Sequence, residues 1–261
     1  MCSHYQGLKG QEKFLRYFGV KPPQEAGKHD LWPGYLGAFV RRHPHADVGD
    51  EAVPPSEALN GLFGLVPHWA TDTKITKSTY NCRSETAATK PSFREAYKRN
   101  QRCIIPADAI YEPDWRSGKA IATRIESTPE EPLGIAGLWS GWKSTDGTWV
   151  YSYTMLTINA DAHPLMNQFH KPTDEKRMVA ILAAEQYEAW LSATTDLMKF
   201  MVPYPAEKLQ ATAPQTKNIS ALLNFVARPR RLATSAAQNT PQHFPVTLFR
   251  AFFKKGCAFH R

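Results

Sequence analysis

The chain opens MCSHYQG, which sets Cys2 directly behind the initiator methionine. If Met1 is removed, Cys2 carries a free α-amine and a thiol on one residue. Such a 1,2-aminothiol attacks an aldehyde through its amine, and the sulfur then closes the imine into a five-membered thiazolidine. An α-amine with its ordinary pKa of about 8 is partly unprotonated at neutral pH, so it needs little activation. The plainer reading is a start site that tolerates a small residue, and the dipeptide alone does not choose between them.

Other clusters carry chemistry further along. Asn81, Arg83, Ser84 and Glu85, within YNCRSET, form a polar group ahead of an expected helix. Backbone donors and an arginine there suit an anion, although caps and turns share that composition. Glu112 stands between Tyr111 and Pro113 at the end of an apolar run. Partial desolvation would raise its pKa toward general acid–base work, whereas a solvated strand end would leave it ordinary. His163 and His170 follow a second apolar run, and a histidine titrating near neutrality shuttles protons. No third ligand stands at convincing spacing, so neither a metal nor a cofactor is expected. Phe63 and Trp69 lie in FGLVPHWATDTKITK, where aromatics interleave with lysines. Exposed, they would stack on unpaired bases; buried, they are core.

These groups need elements to hold them. KFLRYFGV reads as a short helix, and His43–Ala58, rich in His, Asp and Pro, as a loop. LFGLVPHWA reads as a strand closed by Pro67. KPSFREAYKRNQ reads as a helix capped by Ser92, with Glu95 three residues on. RCIIPADAIYEPDW reads as a buried strand ending at Tyr111 and Glu112. LGIAGLWSGW and WVYSYTMLTINA are strands joined by a turn at STDGT. AAEQYEAWL reads as an amphipathic helix. The irregular alternation lacks a βαβ rhythm, so the expected class is α+β, a single domain around a mixed, mostly antiparallel sheet with flanking helices. The expected domain is 1–215, followed by a basic C-terminal segment, 216–261, to which no fold is assigned.

The 261 residues include 32 Lys and Arg against 24 Asp and Glu, a net charge of +8. That balance favours anionic partners, nucleic acid above all, though a soluble basic protein shows it too. No acidic residue follows Glu207, while RPRR at Arg228–Arg231 and FFKK at Phe252–Lys255 are basic. No run of about 18 apolar residues argues for a membrane span, and no secretory signal precedes Cys2. Cys2, Cys82, Cys103 and Cys257 lack zinc-like or disulfide-like spacing, which suits a reducing cytoplasm.

In order along the chain, these motifs resemble one family, the SRAP (SOS-response-associated peptidase) or abasic-site-processing family. Met1-Cys2 is similar to its Met-Cys start, FGLVPHW to its WGLxPxW, and NCRSET to its NARSET. KPSFREAYKRN, CIIPADAIYEPDW and TINADAHPLMNQFHKP resemble three further family segments, so the match covers about residues 1–215. The resemblance implies an α+β domain with a basic cleft for single-stranded DNA. It implies autocatalytic loss of Met1 and capture of a ring-opened abasic-site aldehyde by Cys2 as a thiazolidine crosslink, with β-elimination as a side reaction. By motif position Asn81 would orient the Cys2 terminus, Glu112 would act as acid–base, and His170 would assist proton transfer. Arg83 would bind a phosphate, with Ser84 and Glu85 beside it, and Trp69 and Phe63 would abut bases. The implied protein is a bacterial-type cytoplasmic monomer, nucleoid-associated when on DNA. Departures are Ser3 and His4, where the family has Gly and Arg, and Phe63 in place of Trp; Cys82 replaces a small residue and is expected to be buried. Residues 171–176 lengthen the segment after His170. A non-catalytic DNA-binding module and a thiol peptidase are the alternative readings.

Overall fold

Apolar residues within Arg102–Asp114 and Leu133–Lys143 run almost without interruption, which marks strands buried on both faces. A computed structural model describes residues 2–25, 27–48 and 52–213. The strands are β1 (His4–Gly7), β2 (Asp30–Leu31), β3 (Leu36–Arg42), β4 (Ser56–Phe63), β5 (Asn81–Arg83) and β6 (Arg102–Asp114). They continue as β7 (Ile121–Ser127), β8 (Leu133–Lys143), β9 (Trp149–Asn159), β10 (Arg177–Val179), β11 (Ile181–Leu182) and β12 (Leu209–Thr212). Four short helices flank them: α1 (Gln11–Phe18), α2 (Thr76–Thr79), α3 (Arg94–Lys98) and α4 (Tyr187–Leu191). The class is the expected α+β, with a mixed sheet in which β4 and β5 run parallel to β9 and the other pairings are antiparallel.

β6 is the spine. Its first half lies between β3 and β8, and β8, β9, β4 and β3 complete a closed circuit back to it. This barrel-like core encloses Phe39, Phe63, Tyr153 and Ile105, all essentially without solvent contact, while Ile104 faces outward beside Phe18 and Tyr187. The second half of β6 leaves the barrel between β1 and β7, with His4 opposite Tyr111 and Glu112 opposite Thr123. Two flanks of the spine therefore serve different ends: one fills the core, and the other carries the start of the chain.

Most expected elements form. α1 buries Phe14 and Phe18 and stops at Gly19, which takes the left-handed conformation and donates to the Leu15 carbonyl. β6, β8 and β9 match their apolar runs, with β6 continuing two residues past Glu112. The loop after His43 ends at Pro55, because Ser56–Ala58 already pair with β3. Two expectations are corrected. The run LFGLVPHWA is a strand only to Phe63, since Gly64 turns at φ 117 and its amide donates to the Tyr153 carbonyl. Ser92 is not a helix cap: Phe93 precedes α3 with helical angles, and successive turns onto the Lys90 carbonyl feed the helix directly. The helix expected across Ala183–Leu191 shortens to α4 behind a 3-10 turn, where Trp190 buries its ring and donates to the Cys103 carbonyl at 2.9 Å. The segment 216–261 and Cys257 lie outside the described residues.

A Cβ on Gly64 would sit 2.3 Å from the Thr76 carbonyl oxygen, in a backbone conformation that L side chains avoid. Gly64→Ala is expected to lower stability by about 3 kcal/mol or more. Urea unfolding followed by circular dichroism checks this, and an unchanged midpoint contradicts it.

Candidate active site

The outer half of β6 ends in Tyr111-Glu112-Pro113-Asp114, and the antiparallel register with β1 brings the beginning of the chain beside it. Glu112 is fully buried, its side chain without solvent exposure. Water no longer solvates the carboxylate, so burial pushes the Glu112 pKa up to about 7. A carboxyl poised there exchanges its proton at neutral pH, which a solvated strand end does not.

The His170 segment returns to the same strand. Phe169 forms a lone bridge with Asp114, and the His170 amide donates to the Pro113 carbonyl at 2.9 Å. His170 itself takes a left-handed backbone, φ 65, a conformation with a cost for a residue bearing a Cβ. Its ring Nε2 lies 3.3 Å from Glu112 Oε2 and 3.2 Å from the Arg177 carbonyl. The Arg177 carbonyl can only accept, which places the hydrogen on Nε2. Burial pushes the His170 pKa down to about 4, so the imidazole is neutral across the working range. The extra residues after His170 do not displace it: Lys176 Nζ reaches back to the His170 and Lys171 carbonyls and folds the insertion onto itself.

Cys2 completes the group. Its side chain is buried, and its Sγ donates to the His4 carbonyl at 3.3 Å. Burial, reinforced by the negative charge of Glu112, pushes the thiol well above its ordinary range. Asn81, at the start of β5, donates from Nδ2 to the Cys2 carbonyl at 2.8 Å, while its buried Oδ1 accepts no hydrogen bond among the described residues. Tyr80, next to Asn81, feels both Cys2 and Glu112, and burial together with these charges raises its hydroxyl pKa. Sequence reading missed Tyr80, because a tyrosine before a polar cluster carries no signal until β5 packs on β9.

The polar cluster after Asn81 separates into two roles. Glu85 is held by Arg177 through both guanidinium ends, at 2.8 and 2.9 Å, and stays ionised below the usual carboxylate range. Arg177 is 2% exposed and also donates to Glu175 and to the Thr157 carbonyl. Glu85 keeps 47% of its side chain in solvent while its carboxylate is engaged by Arg177; Ser84 is buried and offers no DNA contact, which corrects that expectation. Arg83 keeps 47% of its side chain in solvent and pairs with Glu175 at 2.6 Å. Phe63 is also corrected: it is fully buried against Tyr5, Tyr80 and Tyr153 and cannot reach a base. Trp69 is 47% exposed, its indole nitrogen 3.4 Å from the Pro91 carbonyl. Cys82 is buried, as expected, and His163 is used structurally, receiving the Leu165 and Met166 amides on Nδ1. Among the described residues no group of three His, Cys, Asp or Glu side chains is placed to hold a metal ion. No described helix is long and apolar enough to cross a membrane.

The sequence profile of the family described as SOS response associated peptidase (SRAP) matches residues 1–219. The chain belongs to the SRAP family. A protein of Bordetella bronchiseptica, solved by X-ray crystallography, shares the SRAP-like fold at TM-score 0.73 and 47% identity. That likeness covers 81% of this chain and 99% of the Bordetella one. A Bacteroides thetaiotaomicron structure matches at TM-score 0.68 and 22% identity, over 81% of this chain and 91% of its own, and speaks for the fold alone. Among named relatives, the abasic site processing protein YoqW of Bacillus subtilis is 36% identical over 57% of this chain and 65% of its own length. The abasic site processing protein HMCES of Gallus gallus is 29% identical over 76% of this chain and 63% of its own. This SRAP chain therefore spans under two thirds of the length of those relatives.

The Glu112 shift carries a stability signature. Below its ordinary pKa of 4.5 the group is neutral folded or unfolded. As pH rises toward about 7 the unfolded chain ionises first, so the folded state holds the extra proton and stability falls. The loss is complete above that value and amounts to about 3 kcal/mol. His170 works in the opposite sense, its stabilisation being lost as pH falls from 6.5 toward 4. Because His170 is common to both proteins, the stability of Glu112→Gln minus that of wild type should grow between pH 4.5 and 8. Urea unfolding at several pH values measures it, and a flat difference contradicts the buried-carboxyl assignment.

Proposed function

We propose that this chain processes abasic sites by binding single-stranded DNA and trapping the lesion's aldehyde on Cys2. What supports the reading most is the convergence of Cys2, Asn81, Glu112 and His170 at one buried place at the chain's beginning, with Glu112 titrating near neutrality. The names of the relatives point to the same lesion.

In the proposed reaction, hydrolysis of the Met1–Cys2 amide, carried out by the protein itself, frees the Cys2 α-amine. Asn81 holds the Cys2 carbonyl and so fixes the direction of that amine. The neutral amine adds to C1′ of the ring-opened sugar, and the protonated Glu112 gives its proton to the departing hydroxyl as the carbinolamine loses water. The imine carbon then accepts the Cys2 sulfur, the thiol proton leaves, and a thiazolidine joins protein to DNA. An imine also acidifies the neighbouring sugar carbon, so β-elimination with strand cleavage is the competing exit. His170 Nε2 lies 3.3 Å from Glu112 Oε2 and is proposed to assist the proton transfers there. Arg83 and Trp69 are the exposed residues proposed to contact phosphate and base. The protein is proposed to act as a cytoplasmic monomer.

Cys2→Ala is expected to abolish the covalent product while retaining most non-covalent binding, since phosphate contacts dominate affinity. Denaturing gel electrophoresis with an oligonucleotide bearing one abasic site reads this, beside intact mass of the protein. A boil-stable band from Cys2→Ala contradicts the mechanism. No band from wild-type protein lacking Met1 leaves a DNA-binding module in its place. Glu112→Gln should slow adduct formation about 100-fold, the ordinary worth of one positioned acid–base group.

A further inference from the structure

Outside the proposed catalytic group, one feature of the surface is built rather than incidental. β1 pairs with β6 on one side and with β2 on the other, and β2 is the last strand on that side among the described residues. The registers align three rings in one row across these strands: Tyr111 of β6, His4 of β1, and Trp32 just after β2. His4 lies 4.2 Å from Tyr111 at 13° and 4.2 Å from Trp32 at 5°, so the imidazole is sandwiched between two parallel aromatics. His4 Nε2 is fixed by Asp30 at 3.0 Å, which also takes a hydrogen bond from Gln6. The outermost ring, Trp32, keeps 45% of its surface in solvent.

We infer that Trp32 is the open end of an aromatic column on which an unpaired nucleobase of the DNA stacks. The inference rests on single-stranded DNA being the ligand and adds the surface that receives a base beside Cys2. Three observations commit the face to a base. The spacing and parallelism already present, about 4 Å at near-zero tilt, are those of stacked rings, and one more planar ring continues the row. The Asp30 carboxylate beside His4 disfavours a phosphate there. Just past Trp32 a tight turn returns the Tyr35 amide to the Trp32 carbonyl. It presents Tyr35, 39% exposed, with Lys28 Nζ 4.5 Å from its ring centre, an aromatic and a cation together where the backbone of the strand would run. Cys2 stands two residues from His4, about 7 Å of extended chain, so the column serves a nucleotide flanking the lesion.

The test uses the full chain and a fluorescently labelled single-stranded oligonucleotide without an abasic site, so that it does not depend on crosslinking. Trp32→Ala and Trp32→Leu should each weaken binding by about 5- to 100-fold, the range for losing one base–aromatic stack. Trp32→Phe should restore affinity to within about 3-fold of wild type, because phenylalanine keeps a π-face and leucine does not. The slope of affinity against salt should stay the same for all three, since no phosphate contact is removed. Equal affinity for wild type and Trp32→Ala overturns the column, as does Leu matching Phe, which would make the contact merely apolar. Sedimentation velocity on the same proteins addresses a competing occupant: self-association lost in Trp32→Ala with DNA affinity intact gives the face to a second copy and overturns the proposal. Trp32-dependent binding without a covalent product on abasic DNA leaves the column standing and sinks the trapping mechanism; a covalent product with Trp32-independent binding does the reverse.

Discussion

Withdrawing the Glu112 carboxyl from water is the constraint around which the outer half of the structure is arranged. An ionised carboxylate at that depth costs several kcal/mol, so the protein keeps it protonated up to about pH 7. That arrangement needs three pieces of chain to meet on one stretch of β6. The first is β1, which seals one flank and delivers Cys2; the second is β7 on the other flank, with Thr123 opposite Glu112. The third is the His170 segment, held to Pro113 and Asp114 by its own backbone. Each piece is anchored by main-chain hydrogen bonds rather than by side chains, which frees the side chains for chemistry. The barrel supplies the rigidity: the same strand that ends in Glu112 begins as a wall of the core.

A second buried charge supports the first. Arg177 is withdrawn from solvent but satisfied by Glu85, Glu175 and the Thr157 carbonyl. It ties the segment after Asn81 to the strand after His170, so the stretches bearing these two residues share one clamp. Removing its carboxylate partners would leave the buried guanidinium without compensation, which is costlier than the pairing is stabilising, whereas Glu85 and Glu175 themselves remain in reach of water. The clamp also explains why Arg83 stays outside. Glu175 is shared between the two arginines, of which Arg83 is the more exposed.

Much of this was legible in the sequence because local signals and topology agreed. The apolar runs of β6, β8 and β9 name buried strands without help, and Glu112 at the end of one of them was a candidate on position alone. Cys2, Asn81 and His170 were legible through motif order, which is a memory of the site rather than a derivation of it. What was not legible depended on contacts distant in sequence. Phe63 reads as well on a surface as in a core, and only the turn at Gly64 and the neighbours Tyr5 and Tyr153 decide it. Glu85 reads as a capping or binding residue until Arg177, 92 residues away, claims it. Ser92 and Glu95 fit a capping box, yet the turns before α3 already supply its carbonyls. The stacking of Trp32, His4 and Tyr111 requires three strands in register, and no window of the sequence contains them all.

The environment of Cys2 also sets an order of events for the proposed reaction. Burial and the Glu112 charge keep the thiol protonated, and a protonated thiol is a poor nucleophile. In the proposed reaction the amine is therefore first to reach the aldehyde, as the formation of an imine before ring closure demands. Once Glu112 has given its proton to the departing hydroxyl it is a carboxylate. It then lies within the field of the same thiol whose proton must leave for the sulfur to close the ring. One carboxyl poised near pH 7 thus serves as acid in the first step and as base in the second. A carboxyl of ordinary pKa would be too weakly protonated for the first role, and a histidine depressed as far as His170 holds no proton to spare for it. The depth of burial that costs the fold stability is what allows a single residue to carry both transfers.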